Sequence, residues 1–264
     1  MPLPKTDRVK YTVNPLDRVI CQLRYPTILK ISSEEPADFQ ESIRKQYPVF
    51  ERSSGMQIEL PAELPQEFAN LLTPSMGPQA YRFTEKDGRR QFVLSQDFIS
   101  YTDHDYKSWE EYSDHLFTAI DSISGIYGIE ESMRVGLRYV NRISRSDLSI
   151  SKEPWAKLIN PIILGPMGDG DFGNDVTASG GQFEARVDEV EGATVKVKYG
   201  LLAPDDSSQT DSVFEIDIDF GVVGEIAHEH VQKILNKFNE MDRGLFQWSI
   251  KPRLHEAMGP GRSD

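Results

Sequence analysis

The chain has 264 residues, and 29 Lys plus Arg against 42 Asp plus Glu give a formal net charge of −13. That length supports one large domain or two small ones with a substantial apolar core, and a hydrophobic share of 38% with 27% charged residues excludes a disordered chain. An acidic balance repels a phosphate backbone, so nucleic acid is not an expected partner.

No stretch approaches the roughly 20 apolar residues of a membrane span, and residues 1–10 are polar with no apolar signal core, so neither membrane nor export is expected. Cys21 is the one cysteine and lies in an apolar run, which fits a buried thiol in a reducing cytoplasm.

Residues 19–25 alternate Val19, Cys21, Leu23, Tyr25 with Ile20, Gln22, Arg24, a strand with one apolar face that Pro26 ends. Ser32 with Glu35 is a capping-box spacing, Pro36 suits a first turn, and Phe39, Ile43 and Tyr47 recur every four residues, which predicts a helix over 34–47. Residues 56–60 read as a strand and 61–78, with four prolines, as a connecting excursion. Asp87-Gly88 is a tight-turn pair, so 81–86 and 89–101 are expected to pair as two antiparallel strands. Ser108 with Glu111 is a second capping box, opening a helix over 108–124 with Trp109, Tyr112, Leu116, Ile120 and Ile123 on one face.

Met133, Val135, Leu137 and Tyr139 then alternate with Arg134, Gly136 and Arg138 in a strand that Asn141 is expected to end or to tie to a neighbouring backbone. The glycine-dense stretch 165–181 reads as an irregular linker and as the boundary between an N-terminal half, 1–164, and a C-terminal half, 165–264, packed as one unit. Three strands follow as a meander: 183–187, 195–199 and, after the polar loop 205–212, 214–220. A helix over 225–241 carries Ala227, Val231, Ile234, Leu235 and Phe238, Gly244 loosens the chain, a short helical stretch runs over 245–250, and the last six residues read as a frayed tail. The expected class is α+β, a curved or split, mostly antiparallel sheet covered by three or four helices.

Glu215, Asp217 and Asp219 share one face of a strand and are the nearest candidates for a metal site. Lys196, Lys198 and Arg186 fall on the same face of neighbouring strands, so cross-strand charge pairs are the preferred reading and no metal or cofactor is expected. The loop Gly165-Pro166-Met167-Gly168-Asp169-Gly170-Asp171-Phe172-Gly173-Asn174-Asp175 lacks the Lys-Ser/Thr of a phosphate cradle, and counted from Asp169 it has Asn174 and Gly180 where a calcium loop needs glycine and glutamate. His228 and His230 are two apart on a helix and cannot share one metal. His104 between Asp103 and Asp105 is the histidine whose neighbours could make it a base, or a turn residue. Arg134, Arg138 and Arg142 fall on one strand face with Asn141 beside them and could grip an anion or pair with the chain's surplus acids.

Asn14-Pro15-Leu16 with the strand 19–25, the stretch 101–112 with Trp109, the core Leu137-Arg138-Tyr139-Val140-Asn141 with Arg142-Ile143, and the block 246–258 resemble a sporadically distributed family of uncharacterised bacterial proteins. The resemblance spans nearly the whole chain and implies carriage on mobile or anti-phage defence loci; it carries no activity over to any residue. No complete catalytic constellation is visible, so the expected function is a cytoplasmic interaction or ligand-binding protein whose partner is another protein. The alternative is an anion- or nucleotide-binding enzyme or sensor using Arg134, Arg138, Asn141, Arg142 and His104.

Overall fold

The computed structural model describes residues 6–54, 79–202 and 212–262. In chain order their elements are β1 (Val9–Tyr11), β2 (Leu16–Arg24), α1 (Leu29–Ser33), α2 (Ala37–Ile43), β3 (Val49–Ser54), β4 (Gln79–Thr84), β5 (Arg90–Ser95), β6 (Phe98–Asp103), α3 (Trp109–Tyr127), β7 (Glu131–Ser144), α4 (Pro161–Leu164), β8 (Ser179–Arg186), β9 (Thr194–Leu202), β10 (Val213–Ala227), α5 (His228–Ser249), α6 (Pro252–Ala257) and β11 (Pro260–Arg262). Nine strands form a mostly antiparallel, unclosed sheet in the order β3-β4-β5-β6-β2-β7-β10-β9-β8, and β1 pairs with β11. This is the α+β class that the strand and helix periods predict. The strand expected over 56–60, the excursion 61–78 and most of the loop 205–212 lie outside the described residues. No helix among the described residues is long and apolar enough to cross a membrane.

The chain divides into two compact units, unit 1 being Met1–Val19, Gly136–Val223 and Gln232–Asp264, and unit 2 being Ile20–Val135 and Gly224–Val231. In unit 2 the stretch 89–101 is two strands, not one. The chain turns at Gln96-Asp97, whose carbonyls accept from Ile28 N (2.8 Å) and Tyr25 N (3.1 Å), and β6 doubles back on β5 with Phe92 opposite Tyr101. The helix expected over 34–47 is shorter, running over Ala37–Ile43 as α2, and a separate short helix, α1, precedes it over Leu29–Ser33. Ser32 donates its hydroxyl to Leu29 O (2.9 Å) inside α1 instead of capping the next helix, and α2 starts after Pro36 without a side-chain cap. The prediction for α3 holds: Ser108 Oγ accepts from Glu111 N (3.2 Å), and Gly128, at φ 69°, closes the far end in a left-handed conformation that a side chain disfavours. Its apolar face buries Trp109, Tyr112, Leu116, Ala119, Ile120 and Ile123, and Tyr101 stacks on Phe92 at 4.4 Å in the same core.

In unit 1 the meander is in register as Ile218 opposite Val197, Phe220 opposite Val195, Asp217 opposite Lys198 and Asp219 opposite Lys196. Phe214, Ile216, Ile218 and Phe220 are fully buried, and Phe220 stacks on Phe238 of α5 at 5.5 Å. The helix expected over 225–241 starts later and ends later. β10 keeps its alternation through buried Ile226, and α5 runs through Gly244 to Ser249 because Phe238, Met241, Leu245 and Phe246 continue one buried stripe, which outweighs the roughly 1 kcal/mol that an interior glycine costs. Asn141 does not end β7, which continues to Ser144; its side-chain amide donates to Ile216 O. Gly180 and Gly181, expected in a linker, lie in β8. A Cβ on their neighbour Gly200 would fall 2.6 Å from Ser179 O, so β8 and β9 approach at a spacing that excludes a side chain there. Nor is the C-terminus wholly frayed, since Pro260 pairs with Tyr11 and Arg262 with Val9.

Ser108→Ala removes the acceptor for Glu111 N and is expected to cost about 1 kcal/mol, read as a lower urea midpoint at unchanged slope.

Candidate functional site

Period-two alternation places the charged residues of β7 to β10 in unit 1 on the sheet face opposite Phe220 and α5. Arg138 donates from Nε and Nη2 to Asp217 Oδ1 and Oδ2 at 2.7 and 2.8 Å, a bidentate pair. Asp217 is 4% exposed, so its carboxylate depends on that guanidinium. Arg142 Nε donates to Glu215 Oε2 at 3.2 Å nearer the surface. Arg134 belongs to unit 2, where its Nη1 donates to Gln22 Oε1 at 3.3 Å. Beyond β10, Lys198 lies between Asp217 on one side and Gln182 on the other, and Lys196 between Asp219 and Glu184. The face is therefore striped by strand: cationic on β7, anionic on β10, cationic on β9.

His104 follows β6 and is exposed; its backbone N–H donates to Arg89 O (2.9 Å). The carboxylates beside it are engaged elsewhere. Asp103 is buried and accepts from Arg90 Nε (3.1 Å) and Asp105 N (2.7 Å), while Asp105 pairs with Arg89 (3.3 Å) and Lys107 (3.5 Å). Of the other histidines, His230 is exposed near Glu229, and His255 Nδ1 bonds the Tyr11 hydroxyl at 2.8 Å. In the glycine loop Asp169 Oδ1 accepts from the amides of Asp171 and Phe172 (2.9 and 3.2 Å), an internal turn. No group of three His, Cys, Asp or Glu among the described residues is arranged to hold a metal ion.

The polar cluster that the sequence does not announce is in unit 2. Arg90, 7% exposed, donates from Nε to Asp103 and from Nη2 to Glu111 Oε1 (2.5 Å), with Glu85 3.9 Å from Nη1. Its Nη1 also reaches His115 Nε2 at 3.5 Å, and His115 Nδ1 lies 2.7 Å from the Tyr47 hydroxyl, which donates to Tyr101 Oη at 3.3 Å. A guanidinium only donates, so His115 Nε2 accepts and its proton sits on Nδ1, donating to Tyr47. The chain of donors thus runs one way, from Arg90 through His115 and Tyr47 to Tyr101. Burial, and then the Arg90 charge, hold the His115 pKa below its ordinary value; burial also raises Tyr47 and Tyr101, keeping both phenols protonated donors. Such a cluster fixes hairpin β4–β5 and β6 against α3 and offers no nucleophile. The sequence held one clue: Glu111 and His115 are four apart and therefore on one side of the helix.

No protein-family model matches the chain, and no curated protein does.

Arg138→Ala leaves the buried Asp217 carboxylate without its partner and is expected to cost about 2–3 kcal/mol in a urea unfolding series. The low folded pKa of His115 makes its contribution to stability present above the unfolded value of about 6.5 and lost as the pH falls through the lower folded value. His115→Gln is accordingly expected to lose less stability than the wild type between pH 7.5 and 5, measured as urea midpoints.

Proposed function

We propose that the protein is a cytoplasmic interaction protein that docks an acidic surface of another protein on the striped sheet face of unit 1. The observation that carries the reading is the position of Lys198. Both oxygens of its cross-strand neighbour Asp217 are held by Arg138, its other neighbour, Gln182, is neutral, and no carboxylate among the described residues lies within ion-pair distance of its ammonium group. Lys196 likewise has no ion pair among the described residues. Two half-buried lysines on β9, Lys198 beside a carboxylate already neutralised by Arg138, favour carboxylates brought by a partner. The family resemblance supplies a setting, an accessory part of a mobile or anti-phage defence system.

An anion or nucleotide on the arginine row would have to displace Asp217 from Arg138, which the bidentate geometry resists. In crosslinking from native lysate, the full chain is expected to retain a partner that is lost at least tenfold in Lys196→Glu/Lys198→Glu and on raising salt. Retention by the double variant would refute the docking face. A nucleotide that raises the Tm of the wild type and not of Arg138→Ala would replace it with the anion reading.

A further inference from the structure

Three polar side chains of unit 2 form a relay that neither the charged face nor the Arg90 cluster includes. Ser124 Oγ lies 3.2 Å from His228 Nδ1, and His228 Nε2 lies 3.2 Å from Asp121 Oδ1. A carboxylate only accepts, so in the neutral ring the proton sits on Nε2, the lone pair of Nδ1 faces the serine, and the Ser124 hydroxyl donates to it. That is the arrangement a general base needs to take a proton from an attacking hydroxyl. Asp121 and Ser124 are three apart on α3 and so share a side of the helix, while His228 is anchored at the start of α5 by its amide, which donates to Glu130 O at 2.9 Å.

Other hydroxyls on α3 are engaged differently. Ser113 and Thr118 bond carbonyls of their own helix, Glu110 O (3.1 Å) and Asp114 O (2.7 Å), and Ser122 bonds Ser42. Room exists beside the serine: a Cβ added at Gly125 or at Gly128 would meet nothing within 4 Å. The His228 side chain is 36% exposed, so a solute can reach the relay. The amides of Glu229 and His230, in the first turn of α5, have no carbonyl one turn back to bond, and the positive end of the helix favours negative charge developing beside His228. Exposed Asp121, bonded to the ring, and exposed Glu225 and Glu229, close to His228 along the chain, disfavour anionic substrates.

We propose that Ser124 and His228 are catalytic residues of an acyl-transfer centre, positioned by Asp121, that hydrolyses small neutral or cationic esters. Ser124 Oγ forms a bond to the ester carbonyl carbon while its proton passes to His228 Nδ1; the carbon–oxygen bond to the alcohol breaks and the alcohol leaves with that proton. Water, deprotonated by the same nitrogen, then attacks the acyl group on Ser124, releasing the carboxylic acid and restoring the hydroxyl. This activity involves a different unit from the docking face and does not depend on it.

The full chain is to be assayed with p-nitrophenyl acetate and with a fluorophosphonate probe, followed by peptide mass spectrometry, with circular dichroism confirming that each variant is folded. An adduct on Ser124 is expected, with at least a tenfold loss of hydrolysis and loss of the adduct in Ser124→Ala and in His228→Ala. Asp121→Asn is expected to lower kcat about tenfold at unchanged KM, a split that a merely structural role would not produce. No adduct on Ser124, or hydrolysis at the wild-type rate by Ser124→Ala, would overturn the proposal.

Discussion

Burial of one side of β10 constrains most of what unit 1 presents to its surroundings. Phe214, Ile216, Ile218 and Phe220 are each fully excluded from water, and a strand with that side fixed has no freedom over where Glu215, Asp217 and Asp219 go. They must share the opposite face with the cations of β7 and β9. Two of the carboxylates that could have gathered a metal, Glu215 and Asp217, are instead paired with Arg142 and Arg138 one strand away, and Asp217, the more buried of the two, takes the bidentate partner. A buried carboxylate is tolerable only when paired, so apolar packing on one face sets the electrostatics of the other.

Unit 2 solves the same problem with a different polar group. Arg90 sits on the core side of β5, in line with Phe92 and Leu94, where an apolar residue would be expected. It is accommodated because Asp103, Glu111 and His115 reach it from two elements, one on β6 and two on α3, and because the aromatic cluster of Tyr47, Phe92 and Tyr101 carries hydroxyls that continue its hydrogen bonds. The direction of each bond follows from what each group can donate, which makes His115 a neutral link rather than a base.

The two functional readings use what is left over from these requirements. The docking face draws on Lys198, whose neighbouring carboxylate Asp217 is already held by Arg138, and the hydrolytic proposal draws on Ser124, whose hydroxyl leaves its own helix for a histidine at the start of another. Both concern groups that the packing of the core does not demand.

Elements with an unbroken period or a local cap were legible from the residues: the face of β2, the Ser108 start of α3, the β8–β9–β10 meander and the sharing of one strand face by Glu215, Asp217 and Asp219. Those features depend on contacts within a few residues or on strict alternation, which sequence spacing encodes directly. Only the tertiary structure decided where local signals were overruled. Ser32 had a closer carbonyl than the amide it was expected to cap, the turn at Gln96-Asp97 is held by residues near position 25, Gly244 was carried through by the stripe buried around it, and the tail found β1. The partnerships of Arg90 with Asp103, Glu111 and His115, of Arg138 with Asp217, and of Ser124 with His228 also join residues distant along the chain. Hydrogen bonds between charged or polar side chains depend on separations in space that no local period specifies.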